Sequence, residues 1–404
     1  MLMNFLMDQL HFRYKRMSQC KVWLDNYTGQ YYPGNLIQGK VILNFNSETK
    51  LRGIKVRIVC HEHTEWMGEE SYYDSTRNKH ETRMTQFRGD NDAFATELIL
   101  HGGHSGTTSL PAGQHMYPFS IVLPTNLPGT YSCDEGNITY KLISIVDRPM
   151  AFDYQDELIF VVVAPIDLNL IGRSDLLEPT SYSNDKTICC WCCAQGPISL
   201  DVELPRKTLT PGETVNITAR VSNMSNTNLE GVRFKLTQNI TCKVDEPNRD
   251  DKTIYNTLVE QNDVGLGAHG EHTYTFPVML PMNIILPNFC MCRLFRVEYT
   301  YKVTAKLPGV HSNLEVQMNP EIGNVQIGQA PTSATSGYTM GFQVPTSPSA
   351  PNQGLPYPPV GGVPVFPPSA PPAHLKEQDQ GYGGGEGTNS EPPPPSYDSL
   401  NLKN

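Results

Sequence analysis

Apolar and polar residues alternate along most of this chain. The runs include Ile54, Val56, Ile58; Ile138, Tyr140, Leu142; Ile198, Leu200, Val202, Leu204; Val215, Ile217, Ala219, Val221; and Phe295, Val297, Tyr299, Tyr301, Val303. Successive strand residues point to opposite faces, so each run reads as a strand with one face on a core and one toward water. Pro-Gly, Leu-Pro and Asn/Ser/Gly clusters separate the runs, and no long segment carries a capped apolar stripe at helical spacing. The pattern predicts an all-β fold.

The pattern also repeats. Pro33-Gly34 matches Pro211-Gly212, and at the same offset Leu51-x-Gly53-Ile54-Lys55-Val56-Arg57-Ile58 matches Leu229-x-Gly231-Val232-Arg233-Phe234-Lys235-Leu236. Gly113, His115, Tyr117, Phe119, Leu123 and Pro124 match Gly270, His272, Tyr274, Phe276, Leu280 and Pro281, and Thr139-Tyr140-Lys141-Leu142 matches Thr300-Tyr301-Lys302-Val303. Blocks in the same order and spacing predict two tandem immunoglobulin-like β-sandwiches, at residues 18–170 and 196–328. Residues 171–195 are expected to be a linker carrying a Cys-rich junction, and 1–17 a disordered extension. In that extension the apolar residues precede Arg13, Lys15 and Arg16, the reverse of a secretory signal, so a cytoplasmic protein is expected. Strand pattern begins at Cys20, which makes Met17 a candidate start.

Composition adds a third region. Of the 33 prolines among 404 residues, 16 fall in the 75 positions from Ala330 onward, with 10 of the 32 glycines. Such a segment buries too little apolar surface to offset its ordering entropy, so 329–404 is expected to be a disordered tail. The net charge of −10 and the absence of a basic patch argue against nucleic-acid binding. Residues 272–292 are free of Asp, Glu, Lys and Arg, but they hold three prolines and no membrane-length apolar run.

Catalytic motifs appear and fail. Gly34-x-x-x-x-Gly39-Lys40 is followed by Val41, where a phosphate loop needs Ser or Thr, and it runs into a strand rather than a helix. Gly265-x-Gly267-x-x-Gly270 likewise runs into a strand. His61 and His63 flank Glu62, and His101, His104 and His115 lie in or beside a Gly-rich loop, so a metal site is conceivable there; the favoured reading is satisfied surface or core histidines. No enzyme, cofactor or metal is expected. Cys189, Cys190, Cys192 and Cys193 admit three readings: packed thiols at the interdomain junction, S-acylation of an exposed loop, or a metal site. Packing is the favoured one.

The tail carries short proline words. Pro394-Pro395-Ser396-Tyr397 fits the grooves of WW domains, where Pro394 and Pro395 lie in an aromatic slot and Tyr397 fills a second pocket. Pro348-Ser349-Ala350-Pro351 and Pro368-Ser369-Ala370-Pro371 are two identical strings, each resembling the ligand of the ubiquitin-E2-variant subunit of ESCRT-I. Two copies raise the local concentration of that ligand.

The duplicated sandwich, the junction from Lys186 through Cys193 to Leu200, the strand Phe295-Arg296-Val297-Glu298-Tyr299 and the Pro-Pro-x-Tyr tail resemble the α-arrestins, the arrestin domain-containing proteins. The resemblance covers about four fifths of the chain and implies an arrestin N-domain, an arrestin C-domain and adaptor function. Cys192 departs from it, since many relatives carry an aromatic there. The expected activity is recruitment of a WW-domain HECT-type E3 ubiquitin ligase, and of ESCRT-I, to transmembrane receptor or transporter cargo for ubiquitination, endocytosis and vesicle release. Peripheral association with plasma membrane and endosomes goes with it. The alternative is an endosomal sorting or structural scaffold without a role in ubiquitination.

Overall fold

The computed structural model describes residues 19–103, 106–190, 193–309 and 311–328, with backbone alone at 189–190 and 193–195. The first half contains β1 (Cys20–Leu24), β2 (Leu36–Phe45), β3 (Thr49–Leu51), β4 (Gly53–Asp74), β5 (Lys79–Gly102), β6 (Thr108–Leu110), β7 (Gly113–Val122), β8 (Tyr131–Cys133), β9 (Gly136–Asp147) and β10 (Tyr154–Phe160). Short 3₁₀ turns at Leu168–Ile171 and Ser174–Leu177 lead into β11 (Thr180–Cys190), β12 (Cys193–Leu204), β13 (Thr208–Leu209), β14 (Thr214–Asn223) and β15 (Gly231–Val244). The chain continues through β16 (Asp250–Val264), β17 (Glu271–Met279), β18 (Phe295–Lys306), β19 (Leu314–Met318) and β20 (Glu321–Ile322). Among the described residues no helix is long and apolar enough to cross a membrane.

The all-β, two-sandwich expectation is met. In the first sandwich the sheet β1-β2-β7 faces β10-β9-β4-β5; in the second, β11-β12-β14-β17 faces β16-β15-β18-β19. The repeated sequence blocks occupy equivalent strands, β4 with β15, β7 with β17 and β9 with β18. Alternation builds each core: in β2, Ile37, Val41, Leu43 and Phe45 point inward, and in β14, Val215, Ile217, Ala219 and Val221 do the same. The turns repeat as well. Gly34 and Gly212 both adopt positive φ, 84° and 81°, and their N–H groups donate to Leu123 and Leu280, themselves matched residues. Only glycine takes that conformation without strain.

Two expectations change. Most of the supposed linker 171–195 is strand: β11 pairs antiparallel with β12 from Thr180↔Leu204 to Cys190↔Cys193 and forms an edge of the second sandwich. Its sequence, TSYSNDKTICC, is polar because an edge strand turns much of its surface to water. The Cys-rich junction is also not between the sandwiches. Cys190 pairs with Cys193 at the end of the β11–β12 ladder, near the loop where Met224 N–H donates to Pro197 O (3.0 Å), whereas the sandwiches meet at the opposite end of β15.

Candidate functional site

The meeting of the two sandwiches is built from the far half of β4. Ile54, Val56, Ile58 and Cys60 point into the first core, and the same phase continues through Glu62, Thr64 and Trp66, all buried. At Glu62 the inward face meets the loop before β18 rather than apolar side chains. Glu62 Oε1 and Oε2 accept from Arg293 N–H (3.1 and 3.0 Å), Oε2 from Leu294 N–H (2.7 Å), and Oε1 from Asn91 Nδ2 (2.6 Å). A carboxylate is tolerated in such a place only when donors surround it, and bonds to a charged acceptor are the stronger kind.

Backbone bonds extend the seam on both sides. Thr64 Oγ1 donates to Lys243 O (2.6 Å), and Arg88 N–H donates to Glu246 O (2.8 Å) while Asp245 and Glu246 N–H donate back to Arg88 O (3.1 and 3.0 Å). Gly89 permits this approach, because a Cβ there would stand 2.7 Å from Thr64 Oγ1 and 3.1 Å from Lys243 O. Where β10 leads toward the second half, Ile166 N–H donates to Asn324 Oδ1 (2.8 Å) and Leu168 N–H to Val325 O (3.0 Å).

The apolar part of the seam is aromatic and sulfur-rich. Tyr131 of β8 lies 4.9 Å from Phe289 and 5.8 Å from Phe295, ring centre to centre, both edge-on. Ile240, Cys242, Val244, Phe289, Leu294 and Phe295 of the second half belong to the first sandwich's core. Cys133 and Cys242 face each other across the seam at 4.0 Å between sulfurs. Their hydrogen bond pulls the Cys133 thiol below its ordinary value and pushes Cys242 above it. Burial pushes Cys60 up to about 12 and raises Cys292.

The residues singled out from sequence fall elsewhere. Pro348–Pro351, Pro368–Pro371 and Pro394, Pro395 and Tyr397 lie outside the described residues, as do the side chains of Cys189, Cys190, Cys192 and Cys193 and position Met17. Basic residues around the start of β4 are paired: Arg52 with Asp147 (2.6 Å), Lys55 with Glu97 (3.0 Å) and Arg57 with Asp92 (3.2 Å). His61 and His63 turn outward from β4 toward Asp90 and Asp92 of β5. Sequence reading missed Glu62 as a seam residue. The signal was present: Glu62 stands in phase with Ile54, Val56, Ile58 and Cys60.

Known proteins share this architecture. The family "Arrestin (or S-antigen), N-terminal domain" matches residues 20–169, and "Arrestin (or S-antigen), C-terminal domain" matches 194–327. Human arrestin domain-containing protein 1 is 25% identical over 364 residues, covering 88% of this chain and 71% of that protein. Mouse arrestin domain-containing protein 4 is 24% identical over 339 residues, covering 82% and 79%. Arrestin domain-containing protein 17 of Caenorhabditis elegans is 24% identical over 296 residues, covering 71% and 67%. The two matched domains are successive halves of one domain pair and together span most of the chain, which belongs to the arrestin family.

Proposed function

We propose that this protein is a non-enzymatic adaptor that brings a WW-domain HECT-type ubiquitin ligase, and ESCRT-I, to membrane-protein cargo. The observation that carries the reading is the joining, in one chain, of an arrestin domain pair to a tail holding Pro394-Pro395-Ser396-Tyr397 and two Pro-Ser-Ala-Pro strings. The arrestin pair supplies a surface for a receptor or transporter at the plasma membrane or endosome, and the tail supplies the ligase. Holding both on one scaffold makes ubiquitin transfer effectively intramolecular, with an effective concentration of ligase that can reach about millimolar. Polyproline segments sample the bound conformation in advance, so their capture costs little ordering entropy.

The Tyr397→Ala chain is expected to lose capture of WW-domain ligases with an unchanged melting temperature, and cargo ubiquitination is expected to fall with it. Capture at the wild-type level contradicts the assignment; lost capture with unchanged cargo ubiquitination favours a sorting scaffold. Replacing Ser349, Ala350, Ser369 and Ala370 by leucine is expected to remove ESCRT-I binding alone.

A further inference from the structure

We propose that His61, His63 and Asp90 form a binding site for one divalent metal ion of the zinc class, on the outer face of the β4–β5 pair. His61 and His63 are two apart on one strand, so both imidazoles leave the same face, and the antiparallel register sets Asp90 opposite His63 and Asp92 opposite His61. One donor atom from each of His61, His63 and Asp90 lies within 4.8 Å of the others. Asp90 Oδ1 is the common corner, 3.2 Å from His61 Nε2 and 2.9 Å from His63 Nδ1. Zinc bonds of about 2.0–2.2 Å at near-tetrahedral angles hold neighbouring donor atoms about 3.2–3.5 Å apart, close to the two histidine–aspartate distances, and the two imidazole nitrogens, within 4.8 Å of each other, come to that spacing by side-chain rotation.

The surroundings favour a cation at that corner. Each ring is flanked by carboxylate oxygens on both nitrogens: His61 by Asp92 (2.9 Å) and Asp90 (3.2 Å), His63 by Asp90 (2.9 Å) and Glu65 (3.4 Å). In the neutral form that a metal ion requires, an imidazole has one N–H and turns its other nitrogen's lone pair toward an oxygen. A metal ion accepts both imidazole lone pairs and that of Asp90 Oδ1. Asp92 then accepts His61 Nδ1–H from outside, the carboxylate–histidine–metal relay that orients a ligand ring. The nearby arginines hold other oxygens: Arg88 donates to Asp90 Oδ2, Arg57 to Asp92 Oδ2, and Arg293 to the Asp90 carbonyl. Asp90 Oδ1 is left facing the histidines. A fourth position opens to solvent and takes water.

The test uses the full chain, stripped with a chelator and titrated with Co²⁺, whose spectrum separates nitrogen and oxygen ligands from thiolates and so from the Cys189–Cys193 hairpin. One equivalent is expected to give weak d–d bands without a thiolate charge-transfer band, and Zn²⁺ is expected to displace it. The double variant His61→Asn, His63→Asn is expected to weaken binding at least about 100-fold, and Asp92→Asn, which removes no ligand, about 10–100-fold. Melting temperatures in chelator show that the variants fold; if the double variant does not, Asp92→Asn decides alone. Absence of d–d bands, a thiolate band on the first equivalent, or wild-type affinity in the variants overturns the site.

Discussion

In the second sandwich, β15 and β16 run 14 and 15 residues; their counterparts in the first, β4 and β5, run 22 and 24. The extra length forms a two-stranded ribbon that reaches the second sandwich, where Asn248 Nδ2 donates to Glu70 Oε1 (3.2 Å) and the Lys252 ammonium stands 5.1 Å from the Trp66 ring centre. Core residues pass the other way. Ile240, Cys242, Val244, Phe289, Leu294 and Phe295 complete the first core, while the buried members of the second core all come from the second half. One strand plan used twice has thus produced unequal partners: the second sandwich closes its own core, and the first leans on its neighbour.

That inequality can be broken at several places. The largest effect is expected from separation: residues 174–328 expressed alone should unfold in a cooperative denaturant transition, whereas 19–170, lacking six core residues, should not. Equal behaviour of the two fragments contradicts the asymmetry. Next is Glu62→Ala, which strands the buried N–H of Leu294, the part-buried N–H of Arg293 and the Asn91 amide. At about 1–3 kcal/mol for a buried unpartnered donor, and less for the two that water can reach, a loss of about 2–5 kcal/mol is expected by chemical denaturation. A change below about 1 kcal/mol removes Glu62 from the seam.

Alkaline pH tests the first core from within. Burial raises the Cys20 thiol from 9.0 to about 11, so its contribution is fully present below pH 9 and is lost as pH rises toward 11. The loss amounts to about 3 kcal/mol and should be missing from the pH profile of Cys20→Ala; identical profiles contradict it. The smallest effect is expected at the ribbon surface, where Met84→Ser replaces an exposed side chain and should change stability by no more than about 0.5 kcal/mol.

Much of the fold was legible because its determinants are local. Alternation located β4, β9, β12, β14 and β18, and the matched blocks and Pro-Gly turns added β15 and fixed the repeat, since strand period and turn chemistry are written in neighbouring residues. β11 was read as linker because an edge strand with polar exposed positions carries little alternation; only Ile188 is fully enclosed among its described side chains. The seam was hidden for another reason. Glu62 is satisfied by N–H groups 231 and 232 residues away, and backbone donors leave no trace in side-chain chemistry. The His61–His63–Asp90 group was half visible, as His-x-His on a strand; its carboxylate arrives through a pairing register interrupted by irregularities at Ile54/Lys55 and Cys60/His61.

Hydrogen exchange on the intact chain, wild type against Phe295→Ala, addresses the dependence of the first sandwich on the second most directly. Phe295 sits on β18 of the second half, yet it packs on Tyr131 and belongs to the first core. The expected result is faster exchange in β4, β8 and β9 as well as in β18. Faster exchange confined to the second sandwich contradicts the account.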